Sequence, residues 1–190
     1  GTVIAANDDS FSITSSVLVD ADYTLTVTAT DEAGNTSVPS TGLPITIDTT
    51  APAAPLITTD IALTKINTPT IEGTAEAGST VELLNGNNVL GTVIAANDDS
   101  FSITSSVLVD ADYTLTVTAT DEAGNTSVPS AGIPITIDTT APAAPLIRTS
   151  TSLTNINTPT ITGTAEAGST VELFNGSDSL GTVIAADNGT

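Results

Sequence analysis

The chain has 190 residues, 39% of them hydrophobic and 3% aromatic, and 22 Asp and Glu face only Lys65 and Arg148, for a formal charge of −20. That imbalance excludes nucleic acid as a partner, because phosphate binding needs clustered Lys and Arg to displace counterions, and an anionic membrane surface would repel the chain for the same reason. With no His and no Cys there is no disulfide framework, no Cys-based metal site and none of the usual general bases or nucleophiles, so the chain is not expected to be an enzyme.

Self-similarity sets the domain frame. Residues 1–40 return unchanged as 91–130, and twelve positions of 41–90 differ from their partners 90 further on, so the period is 90. The motif Asp48-Thr49-Thr50-Ala51-Pro52, repeated from Asp138 to Pro142, ends one apolar alternation and opens the next. An acid in a segment stiffened by Pro52 and Pro55 reads as a junction between stacked domains rather than a flexible tether. Cutting there gives a C-terminal part of a repeat at 1–48, a complete repeat at 49–138 and an N-terminal part of the next at 139–190. No initiator Met, signal peptide or apolar run of about 18 residues is seen, so no membrane insertion is expected and the chain reads as an internal stretch of a longer protein.

In chain order, the complete repeat carries seven strand signals, at 55–58, 68–75, 79–84, 89–95, 100–107, 112–120 and 132–138, each bounded by Gly, Pro, Asn or Asp. In the sixth, Tyr113, Leu115, Val117 and Ala119 alternate with Thr114, Thr116, Thr118 and Thr120, a period of two that buries one face and wets the other. Ile133, Ile135 and Ile137 do the same in the seventh. Asn85-Gly86 predicts the hairpin turn between the third and fourth. Val109-Asp110-Ala111-Asp112-Tyr113 predicts a tyrosine corner, with the phenol tying down the loop before the sixth strand. The fold class is therefore all-β: immunoglobulin-like, seven-strand antiparallel sandwiches in tandem, stacked end to end. The front piece is expected to hold only the late strands and the rear piece only the early ones.

Alternate loops of such a sandwich lie at opposite ends. Loops 75–78, 96–99 and 121–125 share one pole, with Glu76, Asp98, Asp99, Asp121, Glu122 and Asn125; loop 110–112 and the end of the last strand share the other, with Asp110, Asp112 and Asp138. The stacked front piece brings Asp20, Asp22 and Asp48 to the first pole, so eight carboxylates are expected to meet. Uncompensated like charges at a few ångströms cost on the order of 1 kcal/mol per pair, and a cation must offset this in a chain with two basic side chains. Ca2+ suits the need, since it takes carboxylate, amide and backbone oxygens in tolerant geometry. Asp31 and Asn35 in the front piece, and Glu166 in the rear one, are the counterparts of Asp121, Asn125 and Glu76. Each loop taken singly reads equally well as an Asx-type turn.

The runs Thr70-Ile71-Glu72-Gly73-Thr74-Ala75-Glu76-Ala77-Gly78-Ser79-Thr80-Val81, Asp112 to Asn125, and Ile137-Asp138-Thr139-Thr140-Ala141-Pro142 resemble the bacterial Ig-like repeats of giant Bap-type and RTX adhesins. The resemblance covers essentially the whole chain. It implies export by type I secretion to a bacterial cell surface, in a Gram-negative host, and a role as a calcium-stiffened stalk that carries an adhesive tip for attachment or biofilm formation. It also implies that Asp48, Glu76, Asp121 and Asn125 are calcium-associated. Val-Asp-Ala-Asp-Tyr departs from the Asp-Gly-x-Tyr form of such repeats, which weakens the carry-over to Asp20, Asp22, Asp110 and Asp112. The expected partners are adjacent repeats of the same chain and, through the incomplete ends, other copies head to tail. The alternative function is a binding module that recognises a glycan, a neighbouring fibre or ice through its Thr-rich sheets or loops.

Overall fold

A computed structural model describes residues 1–6, 9–150 and 152–187. All regular structure among them is β, and no helix is long and apolar enough to cross a membrane. The chain divides into two compact units, Gly1–Asp138 and Thr139–Thr190.

The first unit holds β1 (Ala21–Leu25), β2 (Leu43–Ile47), β3 (Leu56–Ile57), β4 (Leu63–Thr64), β5 (Thr70–Thr74), β6 (Thr80–Asn85), β7 (Asn88–Ile94), β8 (Ser100–Thr104), β9 (Ala111–Thr120) and β10 (Ile133–Ile137). Among the described residues, β1 and β2 pair only with each other. The other eight form two sheets, ordered β4-β10-β9-β6-β7 and β3-β5-β8. The seven predicted strands are all present, and the immunoglobulin-like sandwich is the observed fold. One strand was not foreseen: β4 runs parallel to β10, pairing Leu63 with Thr136 and Thr64 with Ile137. At two residues it is too short to show a period.

The core lies between the sheets. Ile71 from β5, Val81 and Leu83 from β6, Leu115 and Val117 from β9, and Ile135 and Ile137 from β10 are all fully buried, with Phe101 and Ile103 of β8 closing the other side. Leu115, Val117, Ile135 and Ile137 are among the predicted inward positions. The outward Thr row follows the expected alternation less well, since Thr118 is buried and Thr116 and Thr120 are half-buried. β9 is an interior strand with β6 and β10 on its two sides, and Glu82 stands opposite Thr118.

Two turns are fixed by their residue types. Asn85 pairs with Asn88 across a two-residue loop in which Gly86 sits at φ 59°, a conformation open to Gly without steric cost. The Tyr113 hydroxyl donates to the Val109 carbonyl at 3.0 Å, and Tyr23 repeats this to Val19 at 2.9 Å, so the tyrosine corner is real.

The connection from β9 to β10 uses a device that alternation could not reveal. Pro129 has no N–H to give a ladder, and two serines take over from backbone groups. Ser127 Oγ accepts from Ala119 N–H at 3.0 Å and Ser130 Oγ from Val117 N–H at 3.1 Å, while Ser127 and Ser130 N–H donate back to the same two residues. Both serines are buried. Replacing Ser130 with Ala leaves the Val117 N–H buried and unsatisfied, so urea unfolding should report a loss of about 1–3 kcal/mol.

The second unit holds β11 (Leu146–Ile147), β12 (Gly163–Thr164), β13 (Thr170–Asn175) and β14 (Asp178–Ile184), in two separate two-stranded sheets, β11-β12 and β13-β14.

Candidate junction site

Asn125 ties the 121–125 loop to residue 48. Its side-chain amide donates to the Asp48 backbone carbonyl at 3.1 Å, a contact between residues 77 apart in sequence, and to Asp121 Oδ2 at 2.9 Å. The loop that presents it is self-contained. Asn125 N–H donates to Asp121 Oδ1 at 2.8 Å, Asp121 N–H to the Asn125 carbonyl at 3.1 Å, and Gly124, at φ 94°, turns the chain between them. An Asp whose carboxylate accepts from the backbone four residues on, beside a Gly, is built by local sequence alone. Asp31, Gly34 and Asn35 make the same loop with the same bonds.

On the other side of the contact, Asp20 organises the start of the linker. Its Oδ1 accepts from Thr49 N–H at 3.1 Å and from the Thr49 hydroxyl at 2.8 Å, and its Oδ2 from the Thr50 hydroxyl at 2.8 Å. Asp48 Oδ1 accepts from Thr50 N–H at 3.0 Å. Asp22 and Asp112 each accept from a threonine on the neighbouring strand, Thr46 and Thr136.

The pole of the 49–138 sandwich is drawn together as the loop geometry requires. Thr80 faces both Ile94 and Thr120, and Thr74 faces Ser100, so loops 75–78, 96–99 and 121–125 lie at one end. Asp99, at φ 66°, accepts from Ala77 N–H on Oδ1 and from Ala75 N–H on its carbonyl. Asp98 Oδ1 accepts from the Ser100 hydroxyl at 2.7 Å and from its N–H. Glu76 takes part through its backbone carbonyl, which accepts from Ser79, and Glu166 does the same for Ser169. Asp110 and Asp138 lie at the opposite end, before β9 and after β10. Glu122 stands beside Asp121 in the turn, with no role in the bonds described.

The donor chemistry suits a hard cation, but the grouping does not: among the described residues no three carboxylates are gathered so as to hold a metal ion. The reason is local. Asp31 and Asp121 engage both carboxylate oxygens within their own turns, and Asp20 engages both with Thr49 and Thr50.

Those bonds set the acidity of the groups. The Asn125 side-chain amide, aided by backbone N–H groups of the loop, holds the Asp121 carboxyl below the ordinary Asp value, and Asn35 does so for Asp31. The Thr49 hydroxyl, then that of Thr50, lowers Asp20, and the Ser100 hydroxyl lowers Asp98. A carboxyl depressed in the folded state contributes stability that is present above its unfolded value, about 3.9, and is lost as pH falls through its lower folded value. The melting-temperature gap between the chain and an Asp121→Ala variant should therefore be full at neutral pH and narrow below about pH 4. A differential thermal melt checks this, because relief of the general negative charge is common to both proteins.

Sequence reasoning placed loops 75–78, 96–99 and 121–125 at one end, as observed, but missed that Thr49 and Thr50 are the direct partners of Asp20. The Thr row offers no flat exposed array, as only Thr114 of its four members on β9 is exposed.

Residues 1–49 and 58–139 match the family model described as bacterial Ig-like domain. Exoglucanase B of Cellulomonas fimi is 33% identical over 141 residues, which is 65% of this chain and 12% of that protein, so the chain spans about an eighth of that relative's length. Among solved structures, the fibronectin(III)-like modules of Clostridium thermocellum CbhA align at TM-score 0.44 and 18% identity, over 63% of this chain and 64% of theirs. A biofilm-associated protein's BSP domain aligns at TM-score 0.36 and 26% identity, over 65% of this chain and 20% of that one. With the family model spanning well over half of its length and the sandwich in place, the chain belongs to the bacterial Ig-like domain family.

Proposed function

We propose that the chain is a set of spacer repeats, framed as 1–48, 49–138 and 139–190, from the extracellular stalk of a large bacterial surface adhesin of the Bap or RTX type, and that it has no catalytic role. The observation that carries this reading is the Asn125 amide on the Asp48 carbonyl, which links the end of one repeat to the pole of the next. Near-identity of successive repeats supports it, since mechanical repetition needs the same junction each time. The exoglucanase relative favours a second setting for the same role, as an accessory module of a large enzyme. The coding sequence on either side decides between the two.

Calcium belongs to this reading as a proposal. The acids of the pole and of Asp20, Asp22 and Asp48 supply oxygen ligands of the right kind, although an ion would have to recruit them from their present hydrogen bonds. Calorimetric titration of the chain with calcium should show binding that Asp48→Ala and Asp121→Ala weaken and Asp60→Ala leaves unchanged. Asp60 lies outside the pole and is Ser150 in the next repeat. Absence of heat would remove calcium from the account, and an equal loss with Asp60→Ala would overturn the pole as its site.

A further inference from the structure

The strand order of the 49–138 sandwich decides how it meets a pull along the chain. The chain enters this repeat at Thr49 and leaves it after Asp138, so the early strands and β10, the last one, take any tension. Of the early strands, β3 joins β5 in the smaller sheet, while β4 crosses to the larger one and lies beside β10. That pairing is the only parallel one among the described residues. Its bonds run from Thr136 N–H to the Ala62 carbonyl at 2.8 Å and from Asp138 N–H to the Thr64 carbonyl at 3.0 Å. The end of β4 is fixed by Thr64, whose hydroxyl accepts from Ile66 N–H at 3.0 Å, and Thr154 does the same for Ile156 in the next repeat.

We propose that this parallel pair is a mechanical clamp, and that it keeps the sandwich folded when the chain on both sides is under tension. In a parallel pair, the N-terminal end of one strand and the C-terminal end of the other lie at opposite ends of the ladder. Tension therefore slides β4 along β10, and the evenly spaced bonds between them carry it together. Were the two strands antiparallel, both ends would leave from the same side and the bonds would open one at a time. β10 is anchored from behind: Ile135 and Ile137 are buried in the core, its five residues pair with β9, and the Thr136 hydroxyl donates to Asp112 Oδ1. Tension entering at Thr49 meets β3 first, but losing β3 frees the chain only as far as β4, which then takes the load. The clamp rests on the spacer reading for its purpose, since a stalk that projects a distal region is pulled from both ends; its physics is independent of that reading.

Pulling single molecules of the full chain in two directions tests this. The chain has no Cys, so thiol handles go only where they are introduced. In Asp60→Cys/Thr139→Cys the force enters β4 from its N-terminal side and leaves β10 at its C-terminal end, along the strands. In Lys65→Cys/Thr139→Cys it enters β4 from its C-terminal side and opens the same bonds in turn. All three sites are exposed, and Asp60 and Lys65 are Ser150 and Asn155 in the next repeat, so the substitutions are mild. At one loading rate the first variant should rupture at about twofold higher force, because the bonds from Thr136 and Asp138 share the load instead of taking it in succession. Urea has no direction, so the two variants should unfold at the same midpoint. Equal rupture forces, or a higher force for Lys65→Cys/Thr139→Cys, would overturn the clamp and leave the spacer reading standing. A flexible junction between repeats would sink the spacer reading and leave the directional difference in place.

Discussion

Leu115→Ala should lower the unfolding free energy of the 49–138 sandwich by about 2–5 kcal/mol, the range for a large-to-small change in a core that relaxes only partly. Leu115 is fully exposed to this effect because nothing of its side chain reaches solvent and it packs among residues from both sheets. The same change at Leu25, in an identical local sequence, should leave that transition untouched in dilute solution. Leu25 sits on β1, which pairs only with β2, and its side chain already meets water. Chemical denaturation of the two variants side by side measures the difference. Equal effects would mean that Leu25 has a packed environment after all.

Gly73→Ala should be nearly as costly, for the opposite reason. Gly73 pairs with Ile57 on β3 and Phe101 on β8, and a Cβ there would stand 2.1 Å from the Leu56 carbonyl oxygen and 2.6 Å from the Phe101 ring. The ring could tilt, but the carbonyl belongs to the backbone of the neighbouring strand and cannot move without opening the sheet. Overpacking of this kind costs about 1–3 kcal/mol, and the backbone obstacle puts Gly73 at the upper end. Thermal denaturation of the variant checks the size of the effect, and loss of amide protection at Ile57 and Gly73 would locate it.

These two sites also show how far the sequence could be read. Leu115 was legible, because period-two alternation in Tyr113-Thr114-Leu115-Thr116-Val117 names the buried face directly. Gly73 was not, since the closeness of β3 and Phe101 is a tertiary fact that leaves only a glycine as its trace. Strand identity behaved in the same way. Residues 21–30 and 111–120 are the same ten residues, yet the second copy is a strand throughout and the first only at Ala21–Leu25. The half that persists is the half paired with β2, and the half that is lost is the one whose partner, the counterpart of β6, is absent from the front piece. Residues 11–14 likewise lack the strand that 101–104 form against β5. Propensity makes these segments fit to be strands, and the neighbour decides. The front piece was accordingly expected to hold four late strands and holds β1 and β2 among its described residues.

At the junction, the spacing of Asp121, Gly124 and Asn125 revealed the loop and the topology revealed its pole. What could not be read was the direction of each oxygen. The convergence of acids expected on charge grounds gives way, in the structure, to separate hydrogen-bonded groups: at Asp98 and Asp121 a hydroxyl or N–H two to four residues away is a nearer partner than a carboxylate on another loop, and Asp20 is taken up by Thr49 and Thr50. Charge repulsion across an exposed pole is weak enough in water to allow this.

In the proposed spacer, one repeat is held at a fixed angle to the next through Asp48 and Asn125. Nitroxide labels on Thr24→Cys, in β1, and Glu72→Cys, in β5, span that contact, and both side chains are exposed. Double electron–electron resonance on dilute chain should give one narrow distance distribution, which Asn125→Ala broadens. A broad distribution in the unsubstituted chain, with calcium and with chelator alike, would contradict the spacer reading.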